Sequence, residues 1–320
     1  MPTLFSRREF TRGVAAVAAL PFAKSFPWLP DSQSPFRISV INDEISQDFE
    51  HACEIAAHEF GMKWIELRSM WKKNIVSLDQ NEVTEARRIL DRFQLKVTDI
   101  ASPLFKVDWP GAPKSKFSEA TSFGANFSLQ QQDEVLDRAI AMAKSFSTDR
   151  VRCFDFWRLE DQAPYRAAIN DKLLQAANKC GEHGITLVLE NEPACNTATG
   201  AEAAKVLAAV KSPHLMLNWD PGNAATLGEV PYPDGYNLLP KDRIGHCHCK
   251  DAVRNAKGYE WAPMGGGIID WTGQFKALKR DGYHFAVSLE THWSGGGTPE
   301  KSTRTSWAGM KKELQDAQAI

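Results

Sequence analysis

Eight short apolar segments, each followed by a segment with helical spacing, constrain the fold of this chain more than any other feature. The apolar segments predict strands at residues 36–42, 63–67, 96–101, 150–156, 185–190, 215–220, 243–249 and 285–290. Between them, apolar residues recur three or four positions apart, as in an amphipathic helix. The clearest predicted helices are 48–60, 82–93, 131–146, 165–184, 201–210, 272–282 and 306–318.

Eight strand–helix units of ~30 residues each are what a (β/α)8 barrel requires. The main alternative is an open, doubly wound sheet, which usually carries a glycine fingerprint after its first strand. Here the first strand runs into NDEISQDF, which contains no glycine. We therefore predict an α/β fold, a single (β/α)8 TIM barrel over residues 31–320, with its active site at the C-terminal ends of the strands.

Three connections are longer than the others, at residues 102–128, 221–240 and 251–270. Each follows the C-terminal end of a predicted strand, the third, sixth and seventh in chain order. A barrel of this type builds its active site from the loops at that end. The three connections are therefore expected to surround the site.

The first 30 residues predict a signal peptide and linker rather than part of the barrel. Arg7 and Arg8 precede a short apolar stretch at 14–23, which is signal-peptide architecture. The segment SRREF, from Ser6 to Phe10, resembles a twin-arginine export signal. We expect a periplasmic or exported protein; a disordered basic tail is the alternative.

Composition limits the partners. The net charge is −2, and no basic run suggests nucleic acid as a partner. No apolar stretch approaches the roughly 18 residues that a membrane-spanning helix needs, so no stable span is expected after signal removal. A small-molecule substrate is the expected partner, and the sequence leaves a homo-oligomer open.

Four consecutive predicted strands end on, or just after, a side chain that can bind a metal. These residues are Glu190, Asp220, His248 and Glu290. Because an unpaired buried charge is costly, four such groups together indicate a shared partner. Three carboxylates and one imidazole suit a single divalent cation, with Mn²⁺ favoured and Mg²⁺, Co²⁺ or Zn²⁺ as alternatives.

The stretch GHCHCKD, at 245–251, places two histidines and two cysteines on one predicted strand. Because side chains alternate along a strand, His246 and His248 face one side while Cys247 and Cys249 face the other. A zinc site made from all four is therefore excluded. If His248 faces the interior, His246 is expected to be a hydrogen-bonded core residue. All six cysteines are expected to be buried free thiols.

Five stretches, in order along the chain, carry a resemblance to a known family. They are LVLENEP (187–193), LNWDPGN (217–223), HCHCKD (246–251), PMGGGIIDW (263–271) and VSLETHW (287–293). With the strand pattern, they resemble the xylose isomerase-like barrels of the sugar phosphate isomerase/epimerase family over residues 36–295. The family's ketose epimerases often carry a substrate-binding histidine where this chain has Asn223, and Gly266 replaces a frequent acidic residue.

The resemblance implies that Glu190, Asp220, His248 and Glu290 bind one divalent cation and that Glu190 and Glu290 transfer protons. A cation there can stabilise the enediolate formed when the proton next to a ketone leaves. Proton return then gives epimerisation or isomerisation of a keto-sugar, and loss of a β-hydroxyl gives dehydration. The sequence leaves open a dehydratase or lyase, and an exported sugar-binding barrel without activity.

Further substrate-binding candidates lie near the predicted strand ends. In addition to Asn223, they are Glu66, Arg68, Trp71, Arg158, Lys250 and His292. Charged and aromatic side chains of this kind bind sugars by hydrogen bonding and stacking. Surface ion pairs or packing at the rim are the alternative roles. Because export would separate the protein from cytoplasmic sugar phosphates, and no glycine-rich phosphate loop is present, an unphosphorylated substrate is expected.

Overall fold

The computed structural model describes residues 34–118, 126–256 and 258–320. Eight parallel strands form one sheet, namely β1 (Arg37–Val40), β2 (Trp64–Leu67), β3 (Lys96–Leu104), β4 (Arg150–Cys153), β5 (Thr186–Glu190), β6 (Leu215–Trp219), β7 (Ile244–Cys249) and β8 (Ala286–Leu289). Their order is β1-β8-β7-β6-β5-β4-β3-β2. A parallel bridge between Ile41 and Glu66 joins the two outer strands. The predicted (β/α)8 barrel is confirmed.

A helix follows every strand. The eight are α1 (Phe49–Glu54), α2 (Gln80–Phe93), α3 (Gln132–Ser145), α4 (Arg166–Gly181), α5 (Gly200–Ala209), α6 (Pro221–Thr226), α7 (Trp271–Arg280) and α8 (Pro299–Asp316). Shorter helical segments lie at Asn42–Ile45, Ile55–Glu59, Ile75–Ser77, Leu129–Gln131, Pro231–Gly235, Tyr236–Leu238 and Lys241–Arg243. No helix in the described ranges is long and apolar enough to cross a membrane.

Polar side chains fix where several helices begin. Asp79 and Glu82 form a reciprocal capping box at the start of α2, in which each side chain accepts from the other residue's backbone N–H. Asp220 caps α6 and Asp270 caps α7, each accepting from a backbone N–H three residues later. The cap of α6 fixes the side chain of Asp220, which directly follows β6, against the first turn of the helix.

The hydrophobic core lies between the strands and the surrounding helices. Cys247, Cys249, Leu187 and Leu189 are fully buried in it. Residues that alternate with these, such as His248, instead belong to a buried polar interior. The alternation predicted for GHCHCKD is therefore confirmed, and all six cysteines are free and buried.

Some structure was not expected from the sequence. The connection after β6 contains α6 and three further short helical segments, and β3 continues to Leu104. Two antiparallel hairpins also follow strands, one pairing Ser69–Met70 with Lys73–Asn74 and the other pairing Asp251–Asn255 with Gly258–Ala262. The predicted signal segment at 1–30 lies outside the described residues, as do residues 119–125 of the connection after β3.

Candidate metal centre

Four buried side chains from neighbouring strands meet at the C-terminal end of the barrel. Glu190 is the last residue of β5, His248 lies on β7, and Asp220 and Glu290 directly follow β6 and β8. Each offers one nitrogen or oxygen atom, and these four atoms all lie within 4.8 Å of one another. The four residues that the sequence singled out as metal ligands are therefore gathered at one point.

The imidazole of His248 is oriented by the carboxylate below it. Its Nε2 lies 3.0 Å from Oε1 of Glu66, which is fully buried. Its Nδ1 lies 3.2 Å from Oε2 of Glu290 and 3.4 Å from Oε1 of Glu190. This buried Nδ1 has no hydrogen-bond partner among the described residues. Nδ1 therefore faces the carboxylates while Glu66 binds the other ring nitrogen. Metal-binding histidines are usually oriented in this way.

The donor set fits a hard or borderline divalent cation. Three carboxylates and one imidazole nitrogen are available, and no thiolate joins them, because Cys247 and Cys249 point into the surrounding core. Nδ1 of His248 makes no hydrogen bond within the described residues although it faces Glu290 and Glu190, and a positive ion at this point would be bound by all three groups. The residues present therefore fit the cation that the sequence predicted.

A lysine ammonium already reaches into this cluster. Nζ of Lys250 lies 2.6 Å from Oε2 of Glu290 and 2.8 Å from Oδ2 of Asp220. Lys250 is almost completely buried, with 1% of its surface exposed. Burial alone would lower the pKa of Lys250, but the charges of Asp220 and Glu290 outweigh it and raise the pKa above its ordinary value. The ammonium therefore neutralises part of the cluster's negative charge.

Two arginines hold the two glutamates of the cluster. Nη1 of Arg68 donates to Oε1 of Glu290 at 3.0 Å, and Nη1 of Arg152 donates to Oε2 of Glu190 at 3.0 Å. Burial by itself would raise the pKa of Glu190. The positive charges of His248 and Arg152 outweigh this effect, so the pKa lies below its ordinary value. The pKa of Glu290 is likewise held well below its usual range, because Lys250 and other cationic neighbours outweigh its burial.

Two more predicted residues contact the glutamates. Nδ2 of Asn223 donates to Oε1 of Glu190 at 3.2 Å. Nε2 of His292 lies 3.3 Å from Oε1 of Glu290. Asn223 sits in the first turn of α6, which the cap at Asp220 fixes in place. Both residues are positioned to contact a ligand bound above the cluster.

The other two predicted residues lie elsewhere. Trp71 packs edge-on against Phe49, with ring centroids 6.0 Å apart. Arg158 is held by Glu202, with Nη2 2.7 Å from Oε1. Neither contacts a candidate ligand in the described part of the chain. Arg158 instead lines a separate cavity of about 800 Å³ between residues 113 and 165.

The buried layer beneath the cluster was only partly anticipated. Nδ1 of His246 lies 3.1 Å from Oδ1 of Asn218, so His246 is hydrogen-bonded as expected. The sequence reading missed Arg152 and Asp99, both of which are buried. Burial, and then the charge of Glu66, raises the pKa of Asp99 to about 8. The signal that could have identified them is that each is a charged residue in the middle of a predicted strand.

Asp251 organises the loop that follows the second hairpin. Oδ1 accepts from the backbone N–H of Ala252 and Ile269, at 2.9 and 3.3 Å. Oδ2 accepts from the backbone N–H of Gly265 and Gly267, at 3.1 and 3.0 Å. A Cβ added to Gly267 would lie only 2.0 Å from Oδ1 of Asp251. The carboxylate thus anchors the glycine-rich segment, and glycine is required at 267 by this close approach.

Comparison with known proteins agrees with this architecture. The profile of a protein family described as "Xylose isomerase-like TIM barrel" matches residues 55–313. No curated protein matches the sequence significantly.

Solved structures share the fold at low sequence identity. The probable 3-DHS dehydratase AsbF, involved in petrobactin synthesis in Bacillus anthracis, has a TM-score of 0.65 and 19% identity, with 86% of this chain and 97% of that chain covered. A xylose isomerase-like TIM barrel protein from Mycobacterium smegmatis, solved in complex with magnesium, has a TM-score of 0.62 and 15% identity, covering 89% and 98%. The IOLI protein, solved with a bound zinc atom, has a TM-score of 0.62 and 15% identity, covering 89% and 99%. These likenesses establish the fold.

Proposed function

This chain belongs to the xylose isomerase-like TIM barrel family, and we propose that it is a divalent-metal-dependent isomerase or epimerase of an unphosphorylated keto-sugar. The observation that carries the proposal is the convergence of Glu190, Asp220, His248 and Glu290 within 4.8 Å at the end of the barrel. Family membership and the enzymes among similar structures support catalysis in general. The reaction and the substrate are our inference.

The proposed ligands are those four residues, with Mn²⁺ as the favoured ion. Carboxylate and imidazole ligands suit Mn²⁺ and Mg²⁺, and they also accept Co²⁺ or Zn²⁺. The similar structures that hold magnesium and zinc support a divalent ion in barrels of this type. Here His248 would bind through Nδ1, with Glu66 accepting from the opposite ring nitrogen.

Glu190 and Glu290 are the proposed proton-transfer residues. They come from β5 and β8, so the ends of β6 and β7 lie between them. A divalent cation bound there would polarise the ketone and stabilise the enediolate that forms when the neighbouring proton leaves. Arg152 fixes the carboxylate of Glu190 and Arg68 that of Glu290. One glutamate would remove the proton and the other would return it from the opposite face.

The charge of the cavity above the cluster supports an unphosphorylated substrate. The cavity is lined by Glu192 and Glu260, and no lysine or arginine is among its described lining residues. Phosphate recognition usually needs arginine, lysine or a backbone cradle. Lys106 pairs with Glu192 at 3.2 Å, so Glu260 is the carboxylate that would repel a phosphate group, and a neutral sugar avoids that repulsion.

Dehydration is the second candidate outcome. It begins with the same proton abstraction, and one similar structure is that of a probable dehydratase. Lys250 contacts both Asp220 and Glu290, so an ammonium lies beside the proposed proton-transfer residue. Proton exchange alone does not separate the reactions, but their products do.

The test is solvent exchange with the full chain loaded with Mn²⁺. Ketoses, keto-glycosides and inososes would be incubated in D₂O, and proton NMR would follow the signal next to each carbonyl. We expect exchange that a chelator abolishes and that E190Q and E290Q each slow at least about a hundredfold. If metal-loaded protein exchanges no compound but still binds one, and the two variants bind it equally well, a non-enzymatic sugar-binding role replaces the proposal.

We also propose export through the twin-arginine route, on the basis of SRREF at 6–10. The check is cell fractionation of the full chain and of a variant with Arg7→Lys and Arg8→Lys. Wild-type protein is expected in the periplasm and the double variant in the cytoplasm. Equal distribution of the two proteins would contradict an export role for the arginine pair.

A further inference from the structure

A cavity of about 760 Å³ lies next to the candidate metal centre. Asn223 and His292 line it, and these residues contact Glu190 and Glu290 respectively. The four candidate ligands are themselves buried, so the cluster lies beneath the cavity, behind the side chains of Asn223 and His292. A ligand that binds a metal ion at the cluster through its ketone would extend past Asn223 and His292 into the cavity.

The cavity is large for a single sugar ring. Pockets for drug-sized ligands have volumes of roughly 300 to 1,000 Å³, and this one lies in the upper half of that range. One six-membered sugar ring would leave much of the space and most of the lining uncovered. The cavity therefore has room for a ligand with more than one ring.

Four aromatic side chains line the cavity, one of them close to the metal centre. Trp261 is the one close to the metal centre, because Nζ of Lys250 lies 4.9 Å from the centre of its ring and its ring centroid is 5.3 Å from that of His292. Three further aromatic residues line the same cavity, namely Phe117, Tyr259 and Trp293. All four side chains are half-buried. Their exposed faces gain most when a flat apolar surface covers them.

The polar groups around these rings also restrict the ligand. Glu192 and Glu260 lie in the lining, and Lys106 holds Glu192 at 3.2 Å. Carboxylates accept hydrogen bonds from hydroxyl groups and repel anions. An uncharged ring that carries hydroxyl groups fits between such carboxylates and aromatic faces.

We propose that the substrate is a keto-glycoside with two rings. Its keto-sugar ring lies at the metal centre beside Trp261, and its second ring, an uncharged hydroxylated ring with a flat apolar face, is held by Tyr259, Trp293 and Phe117. This inference rests on the proposed function for the first ring. It adds a substrate class and a second binding subsite.

The experiment compares compounds that share one keto-sugar ring. The methyl glycoside is the one-ring reference; the phenyl glycoside and the glucosyl disaccharide carry an aromatic and a sugar second ring. The full chain with Mn²⁺ is assayed for exchange in D₂O, and binding of the same compounds is measured by calorimetry with and without metal. We expect kcat/KM to be about tenfold higher, or more, for at least one two-ring compound.

Variants test where the second ring binds. In Trp293→Ala and Tyr259→Ala, the ratio of kcat/KM between the two-ring and methyl compounds should fall several-fold, and calorimetry should show the same loss in affinity. Phe93→Ala is the matched control, because Phe93 is also half-buried but lies at the end of α2. Its ratio should match that of the wild type.

The outcomes separate the two proposals. Absence of chelator-sensitive exchange with every compound contradicts the proposed function. Equal affinity for one-ring and two-ring compounds contradicts the second subsite, whether or not exchange occurs. A two-ring preference that persists unchanged in both Trp293→Ala and Tyr259→Ala also contradicts it.

Discussion

Lys250 donates from Nζ to Oε2 of Glu290 at 2.6 Å, inside a cluster that otherwise has the composition of a cation site. The same ammonium lies 2.8 Å from Oδ2 of Asp220. A divalent ion bound by these carboxylates would use oxygen atoms that the ammonium now contacts. Lysine and metal therefore compete for the same negative charge.

Replacement of Lys250 by methionine should strengthen metal binding. Without the ammonium, the carboxylates of Asp220 and Glu290 lack their nearest positive charge, so affinity for Mn²⁺ should rise about tenfold or more. The metal-free protein should become less stable by roughly 3–5 kcal/mol, because buried carboxylates lose their partner. Calorimetric titration and chemical denaturation measure the two effects.

Lys241→Met is the control, because Nζ of Lys241 contacts backbone carbonyls away from the cluster. Unchanged or weaker metal binding in Lys250→Met would contradict competition between the ammonium and the metal.

Asp220→Asn should weaken Mn²⁺ binding at least about a hundredfold, since it removes a charged ligand. Asparagine can still cap a helix, so α6 should keep its start. Asp270→Asn makes the same change at the cap of α7, outside the cluster, and should leave affinity unaltered. Calorimetry and the thermal shift on adding Mn²⁺ provide the readout. Similar affinities for the two variants would remove Asp220 from the ligand set.

Glu66 is predicted to be a positioning residue that acts through His248. Glu66→Gln should lower metal affinity about 10- to 100-fold, which is the usual cost of losing a group that orients a ligand. The variant should also shift the NMR resonance of the Nε2 proton of His248. Glu202→Gln, which alters a half-buried glutamate held by Arg158, is the comparison. A loss of stability without any change in affinity or in that resonance would indicate a purely structural role.

Asp251→Asn should loosen the glycine-rich segment. The new amide group can no longer accept the two N–H groups that one carboxylate oxygen now accepts, so stability should fall by about 1–3 kcal/mol. Hydrogen exchange should accelerate at the amides of either Gly265 and Gly267 or Ala252 and Ile269. Asp281→Asn, at a more exposed site beside Arg280, should leave these amides unaffected. Unchanged exchange at all four would contradict the anchoring role.

The cysteines should resist modification in the native state. Burial raises the pKa of the Cys53, Cys153 and Cys195 thiols and also blocks access to them. Titration with a thiol reagent should therefore detect no reactive thiol in folded protein and all six after denaturation. Rapid reaction of any thiol without denaturant would show that a segment of the core opens readily.

The eight strands could be predicted because each is a short apolar run, and the parallel order follows from the helices between them. The four candidate ligands could be found because each ends, or nearly ends, one of these runs. A charge that closes an apolar strand is visible in the sequence without any knowledge of its neighbours. The strand periodicity also assigned His248 and Cys247 to opposite faces correctly.

The sequence says little about where a long side chain reaches. Lys250 and Arg158 looked equivalent as charged residues near strand ends, but one enters the cluster and the other pairs with Glu202. The partner of a long, flexible side chain depends on which residues the fold brings near it, and the local sequence pattern does not contain that information. Arg152 was missed for a different reason, because a charged residue within a short strand is easily assigned to the solvent side.

The hairpin formed by Asp251–Asn255 and Gly258–Ala262 supplies Tyr259, Glu260 and Trp261 to the cavity but none of the four candidate ligands. If the proposed function holds, most of the second-ring subsite and the four metal ligands lie on separate pieces of the chain. Exchange of this one hairpin between related barrels could transfer a preference for one ligand over another while leaving the reaction intact. Such an exchange would have to keep Asp251, because this first residue of the hairpin anchors the glycine-rich segment beside the cavity.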